Sequence, residues 1–172
     1  MAKEIKRCDW VGDDPLNIEY HDKEWGRSLD DDDELFERMT LEIFQAGLSW
    51  HLILRKRKAF KDAFASFSIE RVAAFTERDV ERLLKDKGII RNRLKIESTI
   101  ENARRLRRLI EEHGSFARYI DGLSGELEEL TKEFKRVFRF MGPKIVGSFL
   151  LSIGKLEGAH EPGCSMAAPS KS

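Results

Sequence analysis

The sequence predicts an all-α fold, and three observations carry that prediction. Apolar residues recur at spacings of three and four through most of the chain. Nowhere does a run alternate between apolar and polar side chains as a half-buried strand would. Ser, Thr, Asp or Asn stands at the start of several periodic segments, and Gly follows several of them.

Taken in order, Asp14-Pro15 reads as a helix start, with Asp as cap and Pro at the first position. It opens a short helix or tight coil that ends by Gly26. Residues 32–46 form the first full helix, with Leu35, Phe36, Met39, Ile43 and Phe44 on one face. The acidic run from Asp30 to Glu34 lies at its N-terminus, where the helix dipole favours negative charge without any metal. A second helix opens at 52–54, and Phe60, Phe64 and Phe67 continue its apolar stripe. Ser68 caps a short helix carrying Ile69, Val72 and Phe75. Thr76 caps another, with Asp79 in the capping-box position, Val80, Leu83 and Leu84 inward, and Gly88 as its stop. The longest helix covers 92–112, turns Leu94, Ile96, Ile100, Ala103, Leu106 and Ile110 inward, and stops at Gly114. A short helical turn at 116–120 and a loop at 122–125 follow. Helix resumes over 126–138, with Leu127, Leu130, Phe134 and Val137 in register. The last helix covers 143–153, with Ile145, Val146, Phe149 and Leu150 inward.

A chain of 172 residues can bury one sizeable core. The expectation is one helical domain over 1–164, or two closely packed helical subdomains, and a loose tail at 165–172. No stretch reaches membrane-spanning length, and Met1 to Arg7 lacks the apolar run of a signal peptide. Two cysteines do not make a disulfide scaffold, so a cytoplasmic location fits. The 31 basic and 31 acidic residues balance, which argues against holding nucleic acid by bulk charge but leaves room for a small basic footprint.

Three constellations carry chemistry. Glu42 and Gln45 are three apart and share a helical face. Gly47 ends that helix, Ser49 caps the next, and Trp50 follows. A carboxylate, an amide and an indole near one turn suit a flat cationic heterocycle; the alternative is that Trp50 is core and Glu42 solvated surface. Residues 138–144 join two helices by a short apolar hairpin, with Gly142 supplying the tight backbone and Pro143 at a first helical turn. Free N–H groups there, aided by Lys144, suit a DNA phosphate, although any helical hairpin can need a glycine. Finally, Cys8, His21, His160 and Cys164 are either a complete tetrahedral zinc set or four unrelated residues near the chain ends.

Particular motifs then bear on the identity of the chain. They are Arg7-Cys8-Asp9-Trp10, Tyr20-His21-Asp22-Lys23-Glu24-Trp25-Gly26, Leu41-Glu42 and the run from Phe44 to Trp50. They continue with Asp79-Val80-Glu81, Gly88 to Arg93, Lys95-Ile96, Asn102-Ala103, Gly114-Ser115-Phe116, Phe140-Met141-Gly142 and the His160, Cys164 pair. Together they resemble the DNA-3-methyladenine glycosylase I family over residues 7–164. The resemblance implies a helix-hairpin-helix DNA glycosylase-like fold whose termini are joined by one structural zinc held by Cys8, His21, His160 and Cys164. It implies that Glu42, the catalytic-site carboxylate, bonds the edge of a flipped base while Trp50 stacks on its face. Tyr20 and Trp10 line or flank that pocket, with Trp25, Gln45, Ser49 and Asn17 in support. Gly142, Pro143 and Lys144 form the DNA contact. Three departures stand out: Asn17 replaces a tyrosine usual in the family, the region 119–134 is short and lacks an expected tryptophan, and the tail after Cys164 is Ser165-Met166-Ala167-Ala168.

The implied activity is that of a monofunctional glycosylase acting as a monomer on double-stranded alkylated DNA. It would excise 3-methyladenine, leave an abasic site and bind the free base as product. The resemblance also implies that the catalytic aspartate common after the hairpin in the wider superfamily is absent, and the segment 144–153 contains no Asp or Glu. The alternatives are a weakened relative that binds damaged DNA or free 3-methyladenine without efficient excision, and a structural or small-molecule-binding helical protein with a zinc clip.

Overall fold

The computed structural model describes residues 3–167, and no strand occurs among them. Nine α-helices run through the described residues: α1 Pro15–Lys23, α2 Asp32–Gln45, α3 Trp50–Ala63, α4 Ile69–Ala73, α5 Glu77–Leu84, α6 Arg93–His113, α7 Phe116–Asp121, α8 Leu127–Val137 and α9 Pro143–Ser152. The predicted caps at Asp14, Ser49 and Ser68 accept backbone N–H groups, and Thr76 and Asp79 form the full capping box. Of the tail expected at 165–172, residues 168–172 lie outside the described residues. The chain divides into two units, one made of Met1–Ser28 with Leu150–Ser172, the other of Leu29–Phe149.

The second unit is built on α2 and α6. Phe36, Phe44, Phe60, Phe64 and Phe67 are buried in one aromatic cluster, and Phe116, Phe134, Phe138 and Phe149 in another. The acidic run at the start of α2 joins three helix N-termini. Asp31 accepts from Glu34 N in α2, Asp33 from Ile69 N in α4, and Asp32 from Phe116 N and Ala117 N in α7, at 2.9–3.2 Å. Orphan helix donors are satisfied and each dipole meets a carboxylate.

Four expectations need correction. The stripe through Phe67 is not continuous α-helix: Ala65, Ser66 and Phe67 form a 3-10 turn with φ of 51–55°. That left-handed backbone costs energy at non-glycine residues, and complete burial of Phe67 offsets it. Gly88 does not stop α5, which ends at Leu84; a Cβ at Gly88 would lie 2.8 Å from Ala59 Cβ, so close packing on α3 requires the glycine. Leu94 is 59 % exposed and Leu127 is 38 % exposed. Lys95, Ser98, Thr99 and Asn102 take inward positions on α6, with Leu94 one residue off that face. In the hairpin, the left-handed residue is Phe140 (φ 63°), while a Cβ at Gly142 would meet open space.

Candidate active site and zinc centre

The first unit closes on four side chains. His21 Nε2 lies 3.3 Å from Cys8 Sγ, 3.2 Å from His160 Nδ1 and 3.5 Å from Cys164 Sγ. His160 Nδ1 lies 3.7 Å from Cys8 Sγ and 3.6 Å from Cys164 Sγ. Tetrahedral zinc sets donor separations of about 3.3 Å for two nitrogens and about 3.6 Å for nitrogen and sulfur. The donor set fits that geometry, with two thiols, two imidazoles and no fifth ligand among the described residues. This is a Cys2His2 structural zinc site.

Its outer contacts fix each ligand. The second ring nitrogen of His21 is 2.8 Å from Asp22 Oδ1, and that of His160 is 3.1 Å from Trp25 O. These contacts set the imidazole tautomers. Arg7 clamps Asp22 through Nε and Nη2; this guanidinium first, and His21 after it, hold the Asp22 carboxyl down at about 2. Glu161 N and Met166 N donate to the sulfurs of Cys8 and Cys164. Trp25 Nε1 donates to Ala159 O at 2.7 Å, so this indole braces the segment carrying His160. Gly26 and Gly154 cross at close range: a Cβ at Gly154 would lie 2.8 Å from Gly26 O.

The remaining predicted aromatic residues of this unit surround the same centre. The Trp10 ring meets Tyr20, His21 and Trp25 edge-on at 5.7–6.4 Å. Asn17, on the buried face of α1 with Tyr20 and His21, donates from Nδ2 to Val11 O.

Glu42, Gln45, Ser49, Trp50, Gly142, Pro143 and Lys144 belong to the second unit. Glu42 is 2 % exposed within α2. Burial pushes its carboxyl up to about 7, against the opposing pull of a hydrogen bond from Ser148 and of the Arg38 charge. Gln45 ends α2 and donates from Nε2 to Leu48 O at 3.1 Å, which holds the following turn. Gly47 is left-handed there (φ 81°). Ser49 Oγ then accepts from Leu52 N, and Trp50 opens α3 half-buried. Glu42 is therefore not solvated surface, and Trp50 is not deep core.

The hairpin between α8 and α9 is held from α6. Asn102 Nδ2 donates to Arg139 O at 3.1 Å and Asn102 Oδ1 accepts from Arg139 N at 2.8 Å. Arg105 donates to Val137 O. Gly142 O accepts from Val146 N, Pro143 takes the first position of α9, and Lys144 is exposed. Sequence reasoning noted Lys95 and Asn102 only as family motifs and did not single out Arg38 or Ser148. Their signal was the same throughout: a polar side chain at a helical position where the period demands an apolar one.

The described residues thus form an all-α protein with a helical hairpin between α8 and α9 and a Cys2His2 zinc centre. Residues 10–134 match the methyladenine glycosylase family. The chain is 37 % identical to the DNA-3-methyladenine glycosylase 1 of Escherichia coli K12, covering 93 % of this chain and 96 % of that one. A crystal structure of a 3-methyladenine DNA glycosylase I superposes with a TM-score of 0.85 at 40 % identity, over 95 % of this chain and all of that one (100 %). The Staphylococcus aureus 3-methyladenine DNA glycosylase I, solved to explain recognition of 3-methyladenine, gives 0.84 at 31 % identity over 96 % and 98 %. The chain belongs to the methyladenine glycosylase family.

Proposed function

We propose that this protein hydrolyses the N-glycosidic bond of 3-methyladenine in double-stranded DNA. Methylation at N3 makes the base a cation with a weakened bond to the sugar. The base leaves neutral with the bonding electrons, so no protonated side chain is required. Water adds to the oxocarbenium-like sugar carbon and loses a proton to solvent, and the DNA phosphates stabilise the developing positive charge. The absence of carboxylates from 144–153 suits this chemistry.

The observation that carries the reading is Glu42. A carboxyl held near 7 by burial is poised between its two forms at neutral pH. A cationic base beside it draws it into the carboxylate form, and neutral adenine does not. Trp50 offers a ring face that favours the same cation. Recognition, not proton abstraction from water, is the role assigned to Glu42. Trp10 and Tyr20 keep the base-binding role that the family resemblance implies.

The phosphate contact is assigned to the N-terminus of α9 at Gly142, Pro143 and Lys144, supported by the open space beside Gly142. One chain supplies every group named, so a monomer is enough for the chemistry. Two cysteines that serve as zinc ligands and form no disulfide, with no helix among the described residues long and apolar enough to cross a membrane, suit a cytoplasmic location. Release of 3-methyladenine from methylated duplex DNA tests the proposal. Binding of damaged DNA without base release would favour the weakened-relative reading motivated by Asn17. Borohydride trapping of an enzyme–DNA adduct would refute the monofunctional mechanism.

A further inference from the structure

We infer that Lys95 is a positioning residue for base recognition, tying the turn before Trp50 to the hairpin so that both DNA-directed parts of the second unit share one register. Lys95 is 5 % exposed. Its Nζ donates to Phe44 O at 2.9 Å and Ala46 O at 2.7 Å, and lies 6.0 Å from the centre of the Phe140 ring. Its contacts among the described residues include no carboxylate. An ammonium buried without a counter-ion is an expensive way to finish a helix. The end of α2 already has Gly47 in the left-handed conformation and the Leu48 N to Gln45 O bond that a helix stop uses.

What the ammonium adds is connection. Phe44 lies two residues past Glu42 on the same helix. Ala46 begins the turn that delivers Trp50. Phe140 is the hairpin residue with φ 63°, three positions before Pro143. The negative end of the α2 dipole and the aromatic face both favour a cation at this point. A neutral side chain would fill the volume and lose the tie. Asn102, two turns further along α6, grips Arg139 in the same hairpin, so α6 is the rigid ruler along which both attachments are made.

This inference rests on the function proposed above. Its test is Lys95→Met, which keeps the length and apolar volume and removes the charge and its donors. Wild type and variant are compared in tryptophan-fluorescence titration with free 3-methyladenine and in steady-state base release from methylated duplex DNA. Expected are losses of about tenfold in free-base affinity and in kcat, the scale of one charge-assisted hydrogen bond, with KM within about twofold. Lys95→Arg, which restores a cation and its donors, recovers most of the lost kcat. A lowered melting temperature with wild-type kcat and free-base affinity would make Lys95 merely structural and overturn the inference. Should Lys95→Met fail to fold, Phe140→Leu removes only the ring. A fall in kcat of about threefold is then expected, and an unchanged kcat overturns the tie. A wild-type protein that releases no 3-methyladenine brings down the proposed function and this inference with it. An active wild type with equally active variants brings down the inference alone.

Discussion

Replacing Glu42 with glutamine should make the protein more stable and less active, and the two effects have separate sizes. Burial raises the Glu42 carboxyl from an ordinary 4.5 to about 7. The folded chain therefore holds this proton more tightly than the unfolded chain does. Stability from this group is greatest below about 4.5, falls as pH rises toward about 7, and stays at its lower level above that. The difference is roughly 3 kcal/mol for so deeply buried a group. Glu42→Gln keeps the shape and has no proton to lose. Urea unfolding at several pH values should show wild type and variant close together at pH 4.5 and the variant ahead by up to roughly 3 kcal/mol at pH 8. Glu42 is the one group that differs between the two proteins, so the difference curve isolates it. The charged acceptor is lost at the same time, about 1.5–3 kcal/mol, and base release should slow by roughly ten- to a hundredfold with weaker binding of free 3-methyladenine. Parallel stability curves would refute the burial argument. Wild-type ligand binding with lost turnover would show that Glu42 acts on water and not on the base.

The other predictions concern separate parts of the molecule. Trp50→Ala should weaken binding of free 3-methyladenine by about 1–3 kcal/mol, measured by equilibrium titration; a folded variant with full affinity would remove this indole from the site. Asp22→Asn should lower zinc affinity by about ten- to a hundredfold in competition with a chromogenic chelator, since it loosens the His21 ring, and equal affinities would deny Asp22 that function. Lys144→Ala should weaken DNA binding nearly equally for all sequences and reduce the salt slope by about one; identical slopes would argue against the phosphate contact.

The helices were legible because their signals are local. Asp14, Ser49, Ser68 and the Thr76–Asp79 box each act within a few residues, and the apolar spacing of α2 and α6 reports a buried face directly. The left-handed turn at 65–67 was not legible, because Phe64 and Phe67 keep a helical spacing while the backbone between them does not. Gly88 was misread because a close approach to Ala59 leaves no trace in the neighbouring sequence. At the candidate site the zinc set was visible as a donor inventory, and the metal geometry fits it. The depth at which Glu42 is buried was not visible, nor were the contributions of Ser148 and Arg38 to its charge. The burial and the Ser148 bond depend on packing between helices far apart in the chain, whereas Arg38 stands one turn before Glu42 on α2 itself. Lys95 and Asn102 were visible as family motifs, but their tasks were not: a polar residue on a periodic face declares no role until its partners are known.

The arrangement of the metal ligands bears on the order of events during synthesis. Cys8 and His21 leave the ribosome well over a hundred residues before His160 and Cys164. The intervening helices carry their own aromatic cores and can condense while the chain is still growing. The segment with Trp10, Tyr20 and Trp25 meets Ala159 and the second pair of zinc ligands only after residue 164 has been made. Premature termination even a few codons upstream of residue 164 therefore spares most of the helices and leaves the segment around Cys8 and His21 unlocked.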